Sequence, residues 1–492
     1  MNRTCVLGWV VTLTLATLPL SRAATPVGVV RPEGDLLVLP LDGIAPDRAE
    51  SVFTSRSTEA VAVETNRTGA RVVRIPFDGS LPGRIAWVAV GPAGFAPSVI
   101  TLVDALPCVA DAVANRSLDS AQSLTLPIAV DGTLAARESR CYAFELRRGE
   151  TISLEAVARR IGSTLDPSLT LTDPRGNVVL RVDDTPGADR DVAVRFTANR
   201  KGTHRLTLSD SLGEGTEPAR FRLRLHPGEP SSLPFLGVPG NAQIATPPSP
   251  TPRRGQPGRI EPPAGLNGTF TQVGEVFRWK LPGDPGSPVR LRFRTRSIGS
   301  WADVLARVRD PKGQVIAELD ATGAGDGTMA IAFATIGDHE LEVVELARSF
   351  GPNHFFEARL TAGAGMFDLA LDKNQMEIAP GESAEIKVTV TRRDFPGPIR
   401  LELEGLPTGF RIEPNRIEGK SKEATLKVYC PTNLALAGPW TFRLTGSSTN
   451  AADGERIVAG TRGPVLGQWP TLHQPPAVWD GRGVLRLKAA KP

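Results

Sequence analysis

The chain has 492 residues, more than one hydrophobic core usually serves, so we expect three or four domains. Its 57 Lys and Arg residues nearly balance 53 Asp and Glu residues, and no basic cluster is interleaved with aromatic residues, which argues against a nucleic-acid-binding protein. The 49 glycines and 43 prolines favour short strands joined by many turns. The predicted fold class is all-β, with tandem antiparallel β-sandwich domains.

Residues 1–23 have the pattern of a signal peptide. Arg3 supplies a positive start, Val6 to Leu20 is apolar, and Ser21-Arg22-Ala23 offers small residues at the two cleavage-determining positions. The alternative is an uncleaved anchor, but the apolar run is shorter than the ~20 residues that a spanning helix needs. We therefore expect a secreted, periplasmic or cell-surface protein with no membrane span after cleavage.

Residues 24–107 show short predicted strands and are interpreted as an immunoglobulin-like β-domain. The clearest strand runs from Arg84 to Val90, where two alternating sets of side chains are both apolar: Ile85, Trp87 and Ala89, and Ala86, Val88 and Val90. Such a pattern predicts a strand that is covered on both faces.

A segment from Ile161 to Asp210 recurs later in the chain. The offset is 137 residues over most of the match, as from Ile161 to Ile298 and from Gly176 to Gly313. Around this segment, aliphatic residues alternate with arginines, as in the run from Phe221 to Leu225, where Arg222 and Arg224 are predicted to point outward. We infer a duplicated antiparallel sandwich with one solvated face per sheet.

The ordered motifs of the first copy carry a family resemblance. They are Gly162-Ser163-x-Leu165-Asp166-Pro167, Asp173-x-x-Gly176, Asp183-Asp184 and Gly202-x-x-x-Leu206. This set resembles the bacterial pre-peptidase C-terminal domain, a small β-sandwich appended to secreted peptidases and repeated in surface proteins. The resemblance implies a jelly-roll-like sandwich over residues 108–226 and a second, divergent one over residues 266–362.

Some members of that family bind calcium through loop aspartates, and calcium is the one cofactor that the sequence suggests. The matching loop carries four carboxylates, Asp183, Asp184, Asp189 and Asp191, and oxygen ligands on flexible turns suit Ca²⁺. Asp166, Asp183 and Asp189 recur as Asp303, Asp320 and Asp326. Arg190 opposes a cation, however, and the alternative is that these aspartates cap turns and keep loops solvated.

The remaining segments are linkers and a further sandwich. Residues 227–265 contain a proline-rich run that predicts an extended spacer, or else a ligand for a proline-binding groove. Residues 363–462 are interpreted as a second immunoglobulin-like sandwich. The tail, residues 463–492, carries Trp469 and Trp479 and either packs on a neighbour or stays loose.

Three cysteines remain after signal cleavage, and an odd number cannot all pair within one chain. The sequence leaves open a disulfide between Cys108 and Cys141. Cys430, at the end of a predicted strand, is expected to be a buried thiol.

No catalytic or cofactor-binding residue is assigned. The sequence has no Gly-x-Ser-x-Gly nucleophile elbow. His204 and His339 recur in the two copies and lie in phase with inward aliphatic residues, so we expect them to be hydrogen-bonded core histidines. Trp301 stands in a turn and is interpreted as a lid on the sandwich, with a sugar-binding platform as the alternative.

The predicted function is an exported, non-catalytic multidomain protein for binding, adhesion or scaffolding at the bacterial cell envelope. Its partner would be an extracellular protein or polysaccharide. The alternative is an accessory or targeting subunit of a secreted peptidase or glycanase system.

Overall fold

The computed structural model describes residues 29–489, apart from residues 31, 34–35, 42–48, 57–58, 78–81, 92–93, 113, 214–217, 236–257, 321–325, 364–365, 394, 435–438, 449–455, 473–475 and 477–478. The described residues form four β-sandwiches in chain order, mostly from antiparallel pairs, which confirms the all-β prediction. The predicted signal peptide and the proline-rich run at 245–252 lie outside the described residues.

The first sandwich packs two sheets around one core. Its strands are β1 (Val29–Val30), β2 (Pro32–Glu33), β3 (Leu36–Pro40), β4 (Ser51–Thr54), β5 (Val61–Ala62), β6 (Glu64–Thr65), β7 (Arg71–Pro76), β8 (Gly83–Gly91), β9 (Gly94–Phe95) and β10 (Val99–Val103). The sheet orders are β1-β10-β8-β4-β5, with β9 beside β8, and β2-β3-β7-β6. One face of β8 lies in this core, and the other lies in a second cluster shared with later domains. The predicted double burial of this strand is confirmed.

The second sandwich, called copy 1, is built from ten strands among the described residues. They are β11 (Cys108–Ala110), β12 (Gln122–Ser123), β13 (Ile128–Leu134), β14 (Ser139–Leu146), β15 (Thr151–Val157), β16 (Pro167–Thr172), β17 (Val178–Val182), β18 (Val192–Thr197), β19 (Gly202–Asp210) and β20 (Ala219–His226). The sheets run β11-β13-β20-β15-β18 and β12-β14-β19-β16-β17. A 3₁₀ turn at Arg159–Ile161 connects β15 to β16.

The third sandwich, called copy 2, repeats this topology. Its strands are β21 (Gly258–Arg259), β22 (Ala264–Thr269), β23 (Val276–Gly283), β24 (Val289–Arg294), β25 (Val304–Arg309), β26 (Val315–Asp320), β27 (Gly327–Ile331), β28 (Gly337–Glu345) and β29 (Phe355–Ala362), with a 3₁₀ turn at Arg296–Ile298. The orders β21-β23-β28-β25-β26 and β22-β29-β24-β27 match β12-β14-β19-β16-β17 and β13-β20-β15-β18 of copy 1. The duplication inferred from the sequence is therefore visible in the strand order.

The register corrects one detail of the aligned copies. Trp279 lies opposite Leu341 in copy 2, as Tyr142 lies opposite Leu206 in copy 1. Trp279 thus takes the place of Tyr142. The sequence alone predicts Phe277 at this place, because Phe277, Trp279 and Leu281 alternate in the same way as Tyr142, Phe144 and Leu146. The 137-residue offset holds through this strand, and the shorter offset of Gly337 from Gly202 arises later, before β27.

The fourth sandwich includes part of the predicted tail, residues 463–492. Its elements are β30 (Met366–Leu371), β31 (Gln375–Ile378), β32 (Ser383–Arg393), β33 (Ile399–Glu404), β34 (Arg411–Glu413), β35 (Arg416–Ile417), β36 (Glu423–Tyr429), β37 (Trp440–Ser448), β38 (Arg456–Val458), α1 (Arg462–Leu466) and β39 (Gly483–Leu487). The sheets run β30-β32-β36-β34 and β31-β39-β37-β33-β35, with β38 beside β37. Strand β39 of the predicted tail thus lies in the interior of this sheet, which corrects the boundary drawn at residue 462.

Candidate functional site

The carboxylate of Asp191, one of the four proposed calcium ligands, holds the 3₁₀ turn of copy 1. Its Oδ1 accepts hydrogen bonds from the backbone N–H groups of Ala158 and Arg159, at 3.0 and 2.8 Å. Its Oδ2 accepts from the backbone N–H of Arg160 at 3.1 Å and from the Arg160 Nε at 2.8 Å. Asp191 and Arg160 are almost completely buried, and burial raises the pKa of Asp191. This carboxylate is fully engaged by the protein itself.

A second ion pair at the turn explains why Asp166 recurs in the duplicate. Arg159 Nε lies 3.1 Å from Asp166 Oδ1, and Arg296 Nη2 lies 2.7 Å from Asp303 Oδ1 at the equivalent place in copy 2. The recurring residue is therefore an arginine partner that closes the turn. Arg190 also approaches Asp166, at 3.5 Å.

The structural counterpart of Asp326 is Asp191 and not Asp189. Asp326 Oδ1 accepts the backbone N–H of Thr295 at 2.8 Å, as Asp191 accepts that of Ala158. The 137-residue offset pairs Asp326 with Asp189 instead, because copy 2 has two residues fewer than copy 1 between its 3₁₀ turn and β27.

The acidic loop of copy 1 packs against copy 2. Ala188 and Ala193 form a small apolar cluster with Trp301, which is 6% exposed and also meets the His354 ring edge-on. Gly187 has a φ of +84°, and a Cβ there would lie 2.7 Å from the Trp301 Cα. Trp301 is thus a buried contact between the copies, which agrees with the lid interpretation and removes the exposed face that a sugar platform needs.

The other proposed ligands do not complete a metal site. Asp183 is exposed and accepts the backbone N–H of Asp184, and burial together with the carboxylate of Asp166 raises the pKa of Asp184. Asp189 has a positive φ of 51° and lies 3.9 Å from Arg84. No group of three or more His, Cys, Asp or Glu residues suited to a metal occurs among the described residues. Asp191, the one buried carboxylate of the four, is not available to a cation, because Arg160 and backbone N–H groups already hold it.

A buried charge network joins the first sandwich to copy 1. Asp104, directly after β10, accepts hydrogen bonds from the Nε atoms of Arg222 and Arg224, at 3.1 and 3.0 Å. Arg224 also pairs with Glu155, which is completely buried. Both arginines are at most 3% exposed, so the expected solvated face of β20 is in fact covered. The reason is that the segment between the two domains lies across this face and brings a carboxylate with it.

The chain leaving β20 continues this network. Glu155 Oε1 accepts hydrogen bonds from the backbone N–H of Ser231, at 2.9 Å, and from His226 Nε2, at 3.1 Å. Burial lowers the pKa of His226, but the hydrogen bond and charge of Glu155 outweigh it, so the pKa lies above its ordinary value. For Glu155 the balance also favours the charged form: burial raises the pKa, and Arg224 and His226 bring it below its usual range.

Arg84 ties the same segment to the first sandwich. Its Nη1 donates to the carbonyl of Arg160 at 2.8 Å, its Nε donates to the carbonyl of Leu233, and its guanidinium lies 4.1 Å from the centre of the Phe235 ring. Burial lowers the pKa of Arg84 to about 10. Residues 227–265 were expected to form a linker with an extended spacer, but residues 229–235 pack between domains.

The C-terminal segment packs at the same place. Trp469 and Trp479 stack at 5.5 Å and lie in a cluster with the outer face of β8 and with Ile161 of copy 1. Thr471 Oγ1 donates to the carbonyl of Arg159 at 3.1 Å. Of the two alternatives left open for the tail, packing on a neighbour is correct for its described residues. We call this meeting point of the first sandwich, copy 1, residues 229–235, residues 465–472 and Trp479 the central junction.

His204 and His339 are core residues, as predicted. They are 0% and 1% exposed, and each Nδ1 lies about 3 Å from the carbonyl two residues earlier, that of Gly202 or Gly337. Each ring meets a phenylalanine edge-on. Their recurrence therefore has a packing origin.

The disulfide that the sequence left open is not formed. Cys108 lies in β11 and Cys141 in β14, in opposite sheets of copy 1, and both are free thiols. The Cys108 thiol donates instead to Asp131 Oδ2 at 2.8 Å, and burial and this carboxylate raise its pKa. Cys430 is buried, as expected, and burial raises its pKa.

The residues that sequence reasoning missed are the buried charges of the central junction. Arg84 lies near the start of β8, the strand with two apolar faces, and Asp104 follows the neighbouring strand β10. A charged residue next to such a buried strand was the signal in the sequence that could have revealed them. In the part of the chain that the structure describes, no helix is long and apolar enough to cross a membrane.

Comparisons with known proteins identify no family. No family model matches the chain, and no curated protein matches it. Bifidobacterium dentium β-glucuronidase complexed with coumarin-3-O-glucuronide aligns with 39% of this chain and 40% of its own, at 13% identity and a TM-score of 0.24. Escherichia coli alpha-2-macroglobulin activated by porcine elastase aligns with 94% of this chain and 43% of its own, at 11% identity and a TM-score of 0.15. The chain thus spans less than half of either protein, and neither likeness carries an argument.

Proposed function

We propose that this chain is an exported, non-catalytic multidomain protein that binds or scaffolds other components at the bacterial cell envelope. The central junction is the observation that supports this proposal. Asp104, Glu155 and Asp191 are buried and bound by arginines, so charges that a catalytic or metal site would use are engaged within copy 1 or, for Asp104, between the first sandwich and copy 1. Paired in this way, they favour one arrangement of the domains, which suits a protein that presents binding surfaces on a rigid frame.

Export is supported by the sequence pattern of residues 1–23. The test is to express the full chain with its own N-terminus in a Gram-negative host, separate the periplasm by osmotic shock, and measure the intact mass. We expect a processed protein that begins at Ala24. A control with Leu13→Arg and Leu15→Arg should remain unprocessed in the cytoplasm. An unprocessed wild-type chain in the cytoplasm would contradict export.

The binding role is tested by cross-linking in intact cells followed by mass spectrometry of the purified adducts. A reproducible adduct with an envelope polysaccharide or a non-enzymatic surface protein supports the scaffold. The second candidate, an accessory subunit of a secreted hydrolase, is favoured by the pre-peptidase resemblance of the duplicated sandwich. An adduct with an exported peptidase or glycanase, whose turnover changes when the purified chain is added, would replace the first proposal with the second.

A further inference from the structure

Three turns of copy 1 meet at one end of the sandwich and enclose an open concavity of about 570 Å³. The turn after β14 is held to the turn after β18 by the backbone bond from Gly149 N–H to the Ala198 carbonyl, at 2.7 Å. The turn after β16 joins them through Pro174, which packs against Gly202. The end of the sandwich is therefore a fixed surface and not a set of independent loops. We call it the basic tip, for the residues that line it.

The basic tip carries four cationic side chains: Arg148, Arg175, Arg200 and Lys201. Arg148, Arg175 and Lys201 are exposed, and their side chains make no ion pair or hydrogen bond with any described residue. Arg200 is half-buried, with its Nε 3.4 Å from the carboxylate of Asp173. The tip thus has a local excess of positive charge in a chain whose charges nearly balance overall.

The carboxylate of Asp173 neutralises only one of the four cations of the basic tip, Arg200, and it also holds the turn together. Asp173 Oδ1 accepts the backbone N–H groups of Arg175 and Asn177, each at 2.9 Å, and closes the turn. Burial raises the pKa of Asp173, but these bonds outweigh it and bring the pKa below its ordinary value. One cation is therefore paired, and three remain available.

Copy 2 shows that the fold does not require these charges. Its turn keeps the same frame: Asp310 accepts the N–H groups of Lys312 and Gln314, and Pro311 packs against Gly337. However, the positions of Arg148, Arg200 and Lys201 are occupied by Pro285, Thr335 and Ile336. Since the same scaffold forms without these three charges, they are a property of the surface of copy 1 and not of its stability.

We propose that the basic tip is a binding site for an anionic polysaccharide, recognised through its carboxylate groups. Arginine guanidinium groups match carboxylates with two parallel hydrogen bonds, and three of the four cations here are arginines. None of the residues that line the tip is aromatic, so it offers no stacking platform for nucleic-acid bases. The lining also lacks the large apolar side chains that anchor proteins in a bilayer. This inference rests on the proposed binding role and names the class of partner.

The test is binding of purified mature protein to fluorescent polygalacturonate in 50 mM NaCl. The tip variant carries Arg148→Ser, Arg200→Thr and Lys201→Thr. The matched control removes three exposed cations of copy 2, with Arg292→Ser, Lys312→Ser and Arg359→Ser. We expect saturable binding that weakens about tenfold in the tip variant and stays within twofold in the control, because each exposed ion pair contributes modestly. Thermal melting checks that both variants are folded.

Neutral dextran, single-stranded DNA and anionic phospholipid vesicles are measured beside the polyuronate. Absence of binding to polygalacturonate, or an equal loss in both variants, would overturn the proposal. DNA or vesicles that bind at least as tightly as the polyuronate and lose affinity in the tip variant would also overturn it. Because the measurement uses purified protein, its failure is distinct from a failure of export.

Discussion

Removing the Asp191 side chain should destabilise the region around the central junction more than any other change in the acidic loop. Asp191→Ala leaves Arg160, which is 1% exposed, without its carboxylate and leaves three backbone N–H groups without an acceptor. Leaving one member of a buried ion pair without its partner costs about 3–5 kcal/mol. The first sandwich and copy 1 together make a unit of about 200 residues. For a unit of this size, each kcal/mol lowers the Tm by about 2–4 °C, so we expect the Tm to fall by about 6–20 °C.

Differential scanning calorimetry of the mature chain measures this loss, with Asp183→Ala as the matched control. Asp183 is an exposed carboxylate of the same loop, so its removal should change stability by no more than about 0.5 kcal/mol. Adding millimolar Ca²⁺ or a chelator should leave every melting temperature unchanged, since a ligand stabilises only the state that it binds. The reasoning would be refuted by a loss below about 1 kcal/mol for Asp191→Ala, or by a calcium-dependent rise that Asp183→Ala abolishes.

Three further perturbations report on the other contacts between and within the domains. The pKa of His226 is raised in the folded state, so its bond to Glu155 adds stability that is complete below the ordinary pKa of 6.5 and is lost as pH rises through the raised pKa. The difference in Tm between wild type and His226→Gln should therefore shrink on titration from pH 6 to 9. A difference that grows with pH would contradict this expectation. Gly187→Ala should lower the Tm by several degrees more than Gly176→Ala, because both glycines have φ near +85° but only the first substitution places a Cβ against Trp301. Equal losses of Tm would show that the contact between the copies is absent. Deleting residues 481–492 removes the interior strand β39 and should make the fourth sandwich sensitive to limited proteolysis, whereas deleting only residues 489–492 should not. Equal resistance of both truncations would contradict an interior position of β39.

The parts of the fold that depend on neighbouring residues were predictable from the sequence. Alternating apolar side chains gave the sandwich strands, and the two apolar faces of β8 predicted its cover on both sides. The repeated turns around Gly162 and Gly176 revealed the duplication, because φ near +80° there favours glycine in both copies. Each of these signals lies within about ten residues, or recurs at a fixed offset.

The candidate site could not be predicted in the same way, because its burial comes from distant segments. Arg222 and Arg224 alternate with inward aliphatic residues, which is also the pattern of a solvated strand face. Asp104, more than a hundred residues away, lies against both arginines and helps to turn that face into an interior. The same limit applies to the acidic loop: the sequence shows its carboxylates together, but it does not show that Asp191 is buried against Arg160.

The duplication separates residues that maintain the sandwich from residues that are free to specialise. Both copies keep an arginine–aspartate pair at the 3₁₀ turn, a carboxylate that accepts its backbone N–H groups, and an aspartate that closes the turn after the next strand. These contacts satisfy polar groups that would otherwise be buried without hydrogen-bond partners, so their loss would destabilise either copy. The basic tip carries no such constraint, and there the copies differ in charge. Where two copies share a frame, the positions at which only their surfaces differ are the ones to search for a partner.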